Sequence, residues 1–251
     1  MRRQVPHTAG NVCVERGPVS LPSISRDRVP PSEGIVAVVI GEKAARLRLE
    51  YESEGLTESK MADDPITEFG SWFEGVVAAE ISEPNAFVLA TVDSDGRPSA
   101  RAVLMKDFSS EGLVFYTGME SRKSQAMRAN GLAAATFVWT LLHRQVRFEG
   151  TVSEVDQATA DAYFGTRPRG AQIAAHASQQ STPVSSREDL ESRFADLDLS
   201  FGDLVPRPDH WGGWRLNPDV VEFWQGRPNR FHDRVRYLLD GDSWVKERLA
   251  P

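Results

Sequence analysis

The chain has 251 residues, 40% of them apolar and 26% charged, with a formal net charge of −7. These values suit one soluble globular domain with a sizeable core, and no apolar run approaches the ~20 residues of a membrane span, so no membrane partner is expected. The acidic balance argues against wholesale capture of DNA or RNA, which relies on an extended basic face.

Residues 1–34 hold five of the 15 prolines and show no apolar periodicity. They also lack the continuous apolar run of a signal peptide, so a disordered extension over 1–41 is expected ahead of a domain spanning 42–251. GEKAARLRLEYESEGL (41–56) suggests a short helix closed by a glycine turn. A stronger start signal is Asp64-Pro65, an N-cap followed by an N1 proline, with Ile66, Phe69, Trp72, Phe73, Val76 and Val77 at helical spacing behind it. Runs rich in β-formers follow at hairpin spacing over 86–92, 99–106, 112–117, 132–139 and 144–155, the first pair joined by the turn DSDG. A short helix over 121–130 with Ser121 as N-cap interrupts them. Two more helices are predicted, one near Asp156–Gly165 and one opening with the capping box Ser185-x-x-Glu188. WGGWRL, DVVEFWQG, RVRYLL and SWVKERL return to strand character. Strands, inserted helices and strands again predict an α+β barrel-like domain rather than an alternating parallel fold.

The signatures of nucleotide-binding loops, zinc proteases and serine hydrolases are absent. The five histidines have no metal-ligand spacing, so no metal is expected. The single cysteine, Cys13, can form neither an intramolecular disulfide nor a Cys-rich zinc site, which fits a reducing cytoplasm. Cations do cluster locally. Arg122 and Lys123 follow Ser121 at a helix start, where free N–H groups and the dipole favour an anion, although such a pair is also ordinary on a solvated surface. Arg101 and Lys106 have opposite parity in a regular strand, so two separate anionic groups suit them better than one, Arg101 joining Arg122 and Lys123 at the first. Tyr163 and Arg167, four apart, could share a helix face and donate to a phosphate, or Tyr163 could simply pack under a terminal arginine. Arg227, Arg230, His232, Arg234 and Arg236 crowd EFWQGRPNRFHDRVRY near the C-terminus.

RAVLMK, VFYT, SRK, RQVRFEG, YFGTRPRGAQIAAHASQQS, WGGWR, EFWQGRPNRFHDR and the terminal ERLAP resemble, in order and spacing, the pyridoxamine 5′-phosphate oxidase family. The resemblance runs from about Arg46 to Pro251 and leaves residues 1–41 without a counterpart. It implies a homodimeric split β-barrel with FMN at the subunit interface. The activity it implies is oxidation of pyridoxine or pyridoxamine 5′-phosphate to pyridoxal 5′-phosphate, with hydride transfer to FMN and reoxidation by dioxygen to hydrogen peroxide. By motif, the flavin-lining strand is Arg101, Ala102, Val103, Leu104, Met105 and Lys106, with Arg101, Arg122 and Lys123 on the FMN phosphate. Tyr116, Thr117, Gln145, Gln180, Ser181, Trp224 and Arg234 match further flavin positions. Lys106, Tyr163, Arg167 and Ala171 match the substrate-phosphate site, Arg230 and His232 the catalytic pair over the substrate ring, and Arg48 and Tyr51 a lid.

Two positions depart from the family pattern. Ala171 stands where many members have a serine, and loss of that hydroxyl costs on the order of 1 kcal/mol. His176 stands where tryptophan is usual. The same barrel also serves phenazine-pathway oxidases, deazaflavin-dependent reductases and non-catalytic binders, and a protein that stores pyridoxal 5′-phosphate would use the same residues.

Overall fold

A computed structural model describes residues 55–251. The expected extension over 1–41, most of the helix expected over 41–56, and Arg48 and Tyr51 lie outside the described residues. Nine strands form one antiparallel sheet in the order β2-β1-β5-β6-β7-β4-β3, with β8 on β7 and β9 on β8. The strands are β1 (Ala86–Val92), β2 (Pro98–Leu104), β3 (Asp107–Ser109), β4 (Gly112–Gly118), β5 (Leu132–Trp139), β6 (Arg144–Glu154), β7 (Trp211–Gln225), β8 (Asp233–Asp240) and β9 (Ser243–Arg248). The run predicted over 99–106 stops at Leu104. At Met105 the chain leaves the side of β1, where Met105 N–H donates to Asn85 O at 2.9 Å. It then crosses to β4, where Lys106 N–H donates to Val114 O at 2.8 Å. This crossing curls the sheet toward closure, giving the α+β barrel that the order of strand and helix signals predicts.

The last four β-rich runs become three strands, because WGGWRL and DVVEFWQG form one 15-residue strand. It carries a bulge at Asp219, which is skipped between the Glu149–Val220 and Gly150–Pro218 pairs with β6. A Cβ at Gly150 would lie 2.1 Å from Asn217 O, so only glycine allows this approach.

Helix α1 (Pro65–Ala78) starts where predicted, with Asp64 accepting from Thr67 N–H at 2.7 Å. Its Phe69 edge-packs on Phe108 and Phe148, and Trp72 on Phe223, at 5.0–5.2 Å. The helix thus closes over the barrel core, while Val77, predicted on the packed face, is 51% exposed. A second, smaller core gathers Phe164, Ile173, Val205 and Trp211 beneath helices α3 (Gln157–Thr166), α4 (Arg169–Ala177) and α5 (Arg187–Ser200). Helix α4 has no sequence prediction behind it. Helix α5 starts one residue later than its capping box suggests, since Ser186 rather than Ser185 accepts from Asp189 N–H, at 3.0 Å. No described helix is long and apolar enough to cross a membrane.

Candidate functional site

A cavity of about 770 Å³ opens between the β2 edge, β4 and helices α3 and α4. Burial alternates along β2 and on through Met105, so Arg101 and Val103 share one face while Ala102, Leu104 and Lys106 take the other. All five still line the cavity, because β2 ends the strand order and the cavity wraps its edge. Met105 turns into the core instead and is 4% exposed.

Helix α2 (Arg122–Asn130) divides the predicted cation pair. Arg122 points outward to Asp93 at 3.5 Å, with its side chain 62% exposed. Lys123 folds into the cavity and is 7% exposed. Its Nζ donates to Thr117 Oγ1 at 2.9 Å, Gln180 Oε1 at 3.0 Å and Ser121 Oγ at 3.3 Å, all neutral oxygens. Burial, and then the nearby Arg101 guanidinium, push the Lys123 pKa down to about 8. Arg101 is itself lowered, by burial first and by Arg122 second. Ser121 caps α2 by position only, since its hydroxyl donates to Ser124 rather than accepting from the backbone. Gln180 Oε1 also accepts from Thr117 Oγ1 at 2.7 Å and Gly118 N–H at 3.0 Å. Adjacent Ser181, in the left-handed region at φ 72°, does not line the cavity.

On the helical side, Tyr163 stacks on Tyr116 at 4.0 Å between centroids, and Trp211 stacks on the same ring at 5.4 Å. Arg167 lies over Trp211 at 4.6 Å. Helix α3 stops at Thr166 because Arg167 precedes Pro168 and is extended, so Tyr163 and Arg167 do not share a helix face as their spacing suggested. The cavity reunites them. Arg167 Nη1 is buried without a hydrogen-bond partner, an unusual state for a guanidinium, and burial lowers its affinity for its proton. Ala171 also lines the cavity. His176 does not. Its Nε2 reaches Pro206 O at 2.7 Å and its ring packs on Phe201 at 4.7 Å, so it fills an aromatic place in the second core.

Among the described residues the lining therefore holds Arg101, Lys106, Lys123 and Arg167 and no carboxylate. In a chain of net charge −7, four cations without a counter-ion make a site for anions.

The remaining predicted residues gather elsewhere. Register puts Val138, Gln145, Trp224 and Arg234 side by side across β5, β6, β7 and β8, so one sheet face carries three residues far apart in sequence. Arg234 donates twice to the buried Glu222 carboxylate, at 2.8 and 3.1 Å, and once to Ala250 O. The turn from β7 to β8 carries the other pair. Arg230 is exposed and, like Asn229, has a positive φ, 61° against 54°, a strained conformation for an arginine. His232 packs on Trp224 at 4.7 Å, and its Nδ1 accepts from Arg227 N–H at 3.1 Å. Burial, then Arg230, lower its pKa. The neutral ring thus carries its proton on Nε2.

Thr166, His210 and Trp211 line the cavity without having been singled out from the sequence. WGGWR carried the only available signal for Trp211, and nothing marked His210, whose Nε2 donates to Ala175 O at 2.9 Å.

A family profile described as pyridoxamine 5′-phosphate oxidase matches residues 73–200, and one for the pyridoxine 5′-phosphate oxidase C-terminal dimerisation region matches 211–251. A pyridoxine/pyridoxamine 5′-phosphate oxidase of Rubrobacter xylanophilus is 52% identical over 208 residues, covering 82% of this chain and 96% of that protein. One from Thermosynechococcus vestitus is 48% identical over 209 residues, covering 83% and 99%. Among solved structures, PhzG from Burkholderia lata 383, in complex with tetrahydrophenazine-1-carboxylic acid, superposes with a TM-score of 0.75. It is 30% identical and covers 80% of this chain and 100% of its own. A pyridoxamine 5′-phosphate oxidase-related, FMN-binding protein of Nostoc punctiforme has a TM-score of 0.59 at 19% identity, covering 72% and 96%, a likeness of fold. Profiles that together reach from residue 73 to the last residue, and relatives about half identical over four-fifths of its length, establish that the chain belongs to the pyridoxamine 5′-phosphate oxidase family.

Proposed function

We propose that the chain oxidises pyridoxine 5′-phosphate and pyridoxamine 5′-phosphate to pyridoxal 5′-phosphate, as a homodimer that holds FMN between its subunits. The observation that carries this reading is the cavity with four cations and, among the described residues, no carboxylate, together with a buried Arg167 nitrogen lacking a partner. Its residues fit FMN. Lys123 is buried among neutral oxygens beside Arg101 and so lacks the charge that a phosphate brings, and a cavity of about 770 Å³ is ample for a flavin. Lys123, Arg101, Thr117 and Gln180 would hold the flavin phosphate and the 101–106 strand its ring system, with Tyr116 alongside. When bound, FMN supplies the hydride acceptor and passes the electrons to dioxygen, giving hydrogen peroxide.

Lys106, Tyr163 and Arg167 are assigned the substrate phosphate. Arg167 supplies the guanidinium fork and the Tyr116–Tyr163–Trp211 stack keeps water from one side of it. Ala171 adds no hydroxyl there. Arg230 and His232 orient the pyridine ring, His232 presenting its Nε2 proton. Neither lines the cavity of its own chain, nor do Gln145, Trp224 and Arg234. Dimerisation is what would carry them to the partner's cavity. The surface for it is the sheet face that bears Val88, Val92, Leu104, Leu132 and Val138, each 37–56% exposed on β1, β2 and β5.

The test is the visible spectrum of the purified protein after addition of FMN, followed by peroxide release in air on adding pyridoxine 5′-phosphate. A bound flavin and stoichiometric peroxide are expected. Failure to retain FMN overturns the reading. Turnover of tetrahydrophenazine-1-carboxylic acid, but not of the phosphorylated pyridines, would move the chain toward the activity of its 30% identical neighbour.

A further inference from the structure

Asp233 opens β8 immediately after His232, and its carboxylate gathers groups from the 55–58 segment, from Arg227 across the turn and from β9. Oδ2 accepts from Leu56 N–H at 3.0 Å and lies 3.4 Å from Arg227 Nε. Oδ1 accepts from Arg248 Nη1 at 2.6 Å. Arg248 in turn holds Glu58 through two hydrogen bonds of 2.6 and 2.8 Å, and donates to Leu56 O at 2.7 Å. Arg248 holds the Glu58 carboxyl well below its usual range, at about 2. Arg227, at the other end of the turn, donates its backbone N–H to His232 Nδ1. Gly55 completes the arrangement: its φ is +83°, and a Cβ there would lie 2.7 Å from Asp233 Oδ2 and 3.0 Å from the Arg227 guanidinium carbon.

We infer that Asp233, with Arg248 and Gly55, is a positioning clamp. It ties the 55–58 segment and the C-terminal strand to both ends of the 227–232 turn, and so fixes the strained Arg230 and the His232 ring. The inference rests on the function proposed for that pair. Its physical basis is that a turn with two consecutive positive-φ side chains persists only when its surroundings over-determine it. A carboxylate that binds both ends of such a turn supplies that constraint. A shift of about 1 Å in reacting groups can cost on the order of a hundredfold in rate.

Two variants open the clamp from opposite sides, Asp233→Asn by removing its charge and Gly55→Ala by crowding Oδ2. Both are examined as FMN-loaded full-length protein for amide hydrogen exchange over residues 226–233 and for steady-state kinetics. Faster exchange in that peptide is expected in both, with kcat/KM for pyridoxine 5′-phosphate lowered about tenfold or more and flavin content unchanged. Asp233→Glu should recover part of the exchange protection. Unaltered exchange and unaltered kcat/KM in both variants would overturn the clamp. Loss of flavin in step with activity would likewise overturn it, making Asp233 merely structural. If the wild-type chain does not turn over the phosphorylated pyridines, the functional reading fails, and the exchange measurement still decides whether Asp233 holds the turn.

Discussion

Lys123 is a buried cation bonded only to neutral oxygens and Arg167 is half-buried with one guanidinium nitrogen unpartnered, a state that costs folding energy and that an anion would complete. For Lys123 the sign of the pH effect follows from its pKa of about 8 against an ordinary value of 10.5. The native state gives up the proton more readily than the unfolded chain, so the buried charge disfavours the empty native state below pH 8, and stability should rise as pH climbs from 8 toward 10.5. Anion binding needs the charged form, so FMN affinity should fall over the same window. Lys123→Met is therefore expected to leave the apoprotein as stable or more so, while weakening FMN about ten- to a hundredfold, the value of a lost charge-assisted hydrogen bond. Thermal unfolding of the apoprotein and fluorescence titration with FMN check both halves. Arg167→Ala, by contrast, should retain flavin and raise the KM for phosphorylated substrate by one to two decades. Flavin loss in this variant, with substrate affinity intact, would reverse the two phosphate assignments.

At the scale of elements, helix α1 shows how local signals become core. The cap at Asp64 and the spacing of Ile66, Phe69, Trp72 and Val76 were legible because a capped amphipathic helix needs only near neighbours to declare itself. Trp72 is 4% exposed, edge-packed on Phe223 and covered by the Arg144 guanidinium at 4.4 Å. Trp72→Ala should lower unfolding free energy by about 3–5 kcal/mol, measured by urea denaturation, and a loss under about 1 kcal/mol would contradict this packing role. Helix α4 was not legible. Arg169–Ala177 follows Arg-Pro and drew no prediction, and it is helical because Ile173 and Ala175 find the second core beneath them.

For the whole molecule, the barrel leaves one outer face with exposed valines and leucines beside the Gln145, Trp224 and Arg234 row. If that face meets a partner subunit, Val138→Asp should give a monomer in analytical ultracentrifugation and weaken FMN at least tenfold. Leu199→Asp, on a residue 88% exposed on helix α5, should do neither. Equal behaviour of the two variants would move the interface elsewhere.

The sequence by itself determined the α+β class, the strand order along the chain, the cap at Asp64 and, through motif spacing, the family. Each depends on residues near one another in the chain or on ordered segments. Only the tertiary structure decided which cations share a space. It turned Arg122 out to Asp93 while burying Lys123 one residue later, and it kept Lys106 on the rim of the same cavity as Arg101 despite opposite parity, because β2 ends the strand order. It also drew Gln145, Trp224 and Arg234 into one row and set Asp233 against Gly55 and Arg248. Register and edge position are settled by pairing between distant strands, and no local pattern of residues encodes them.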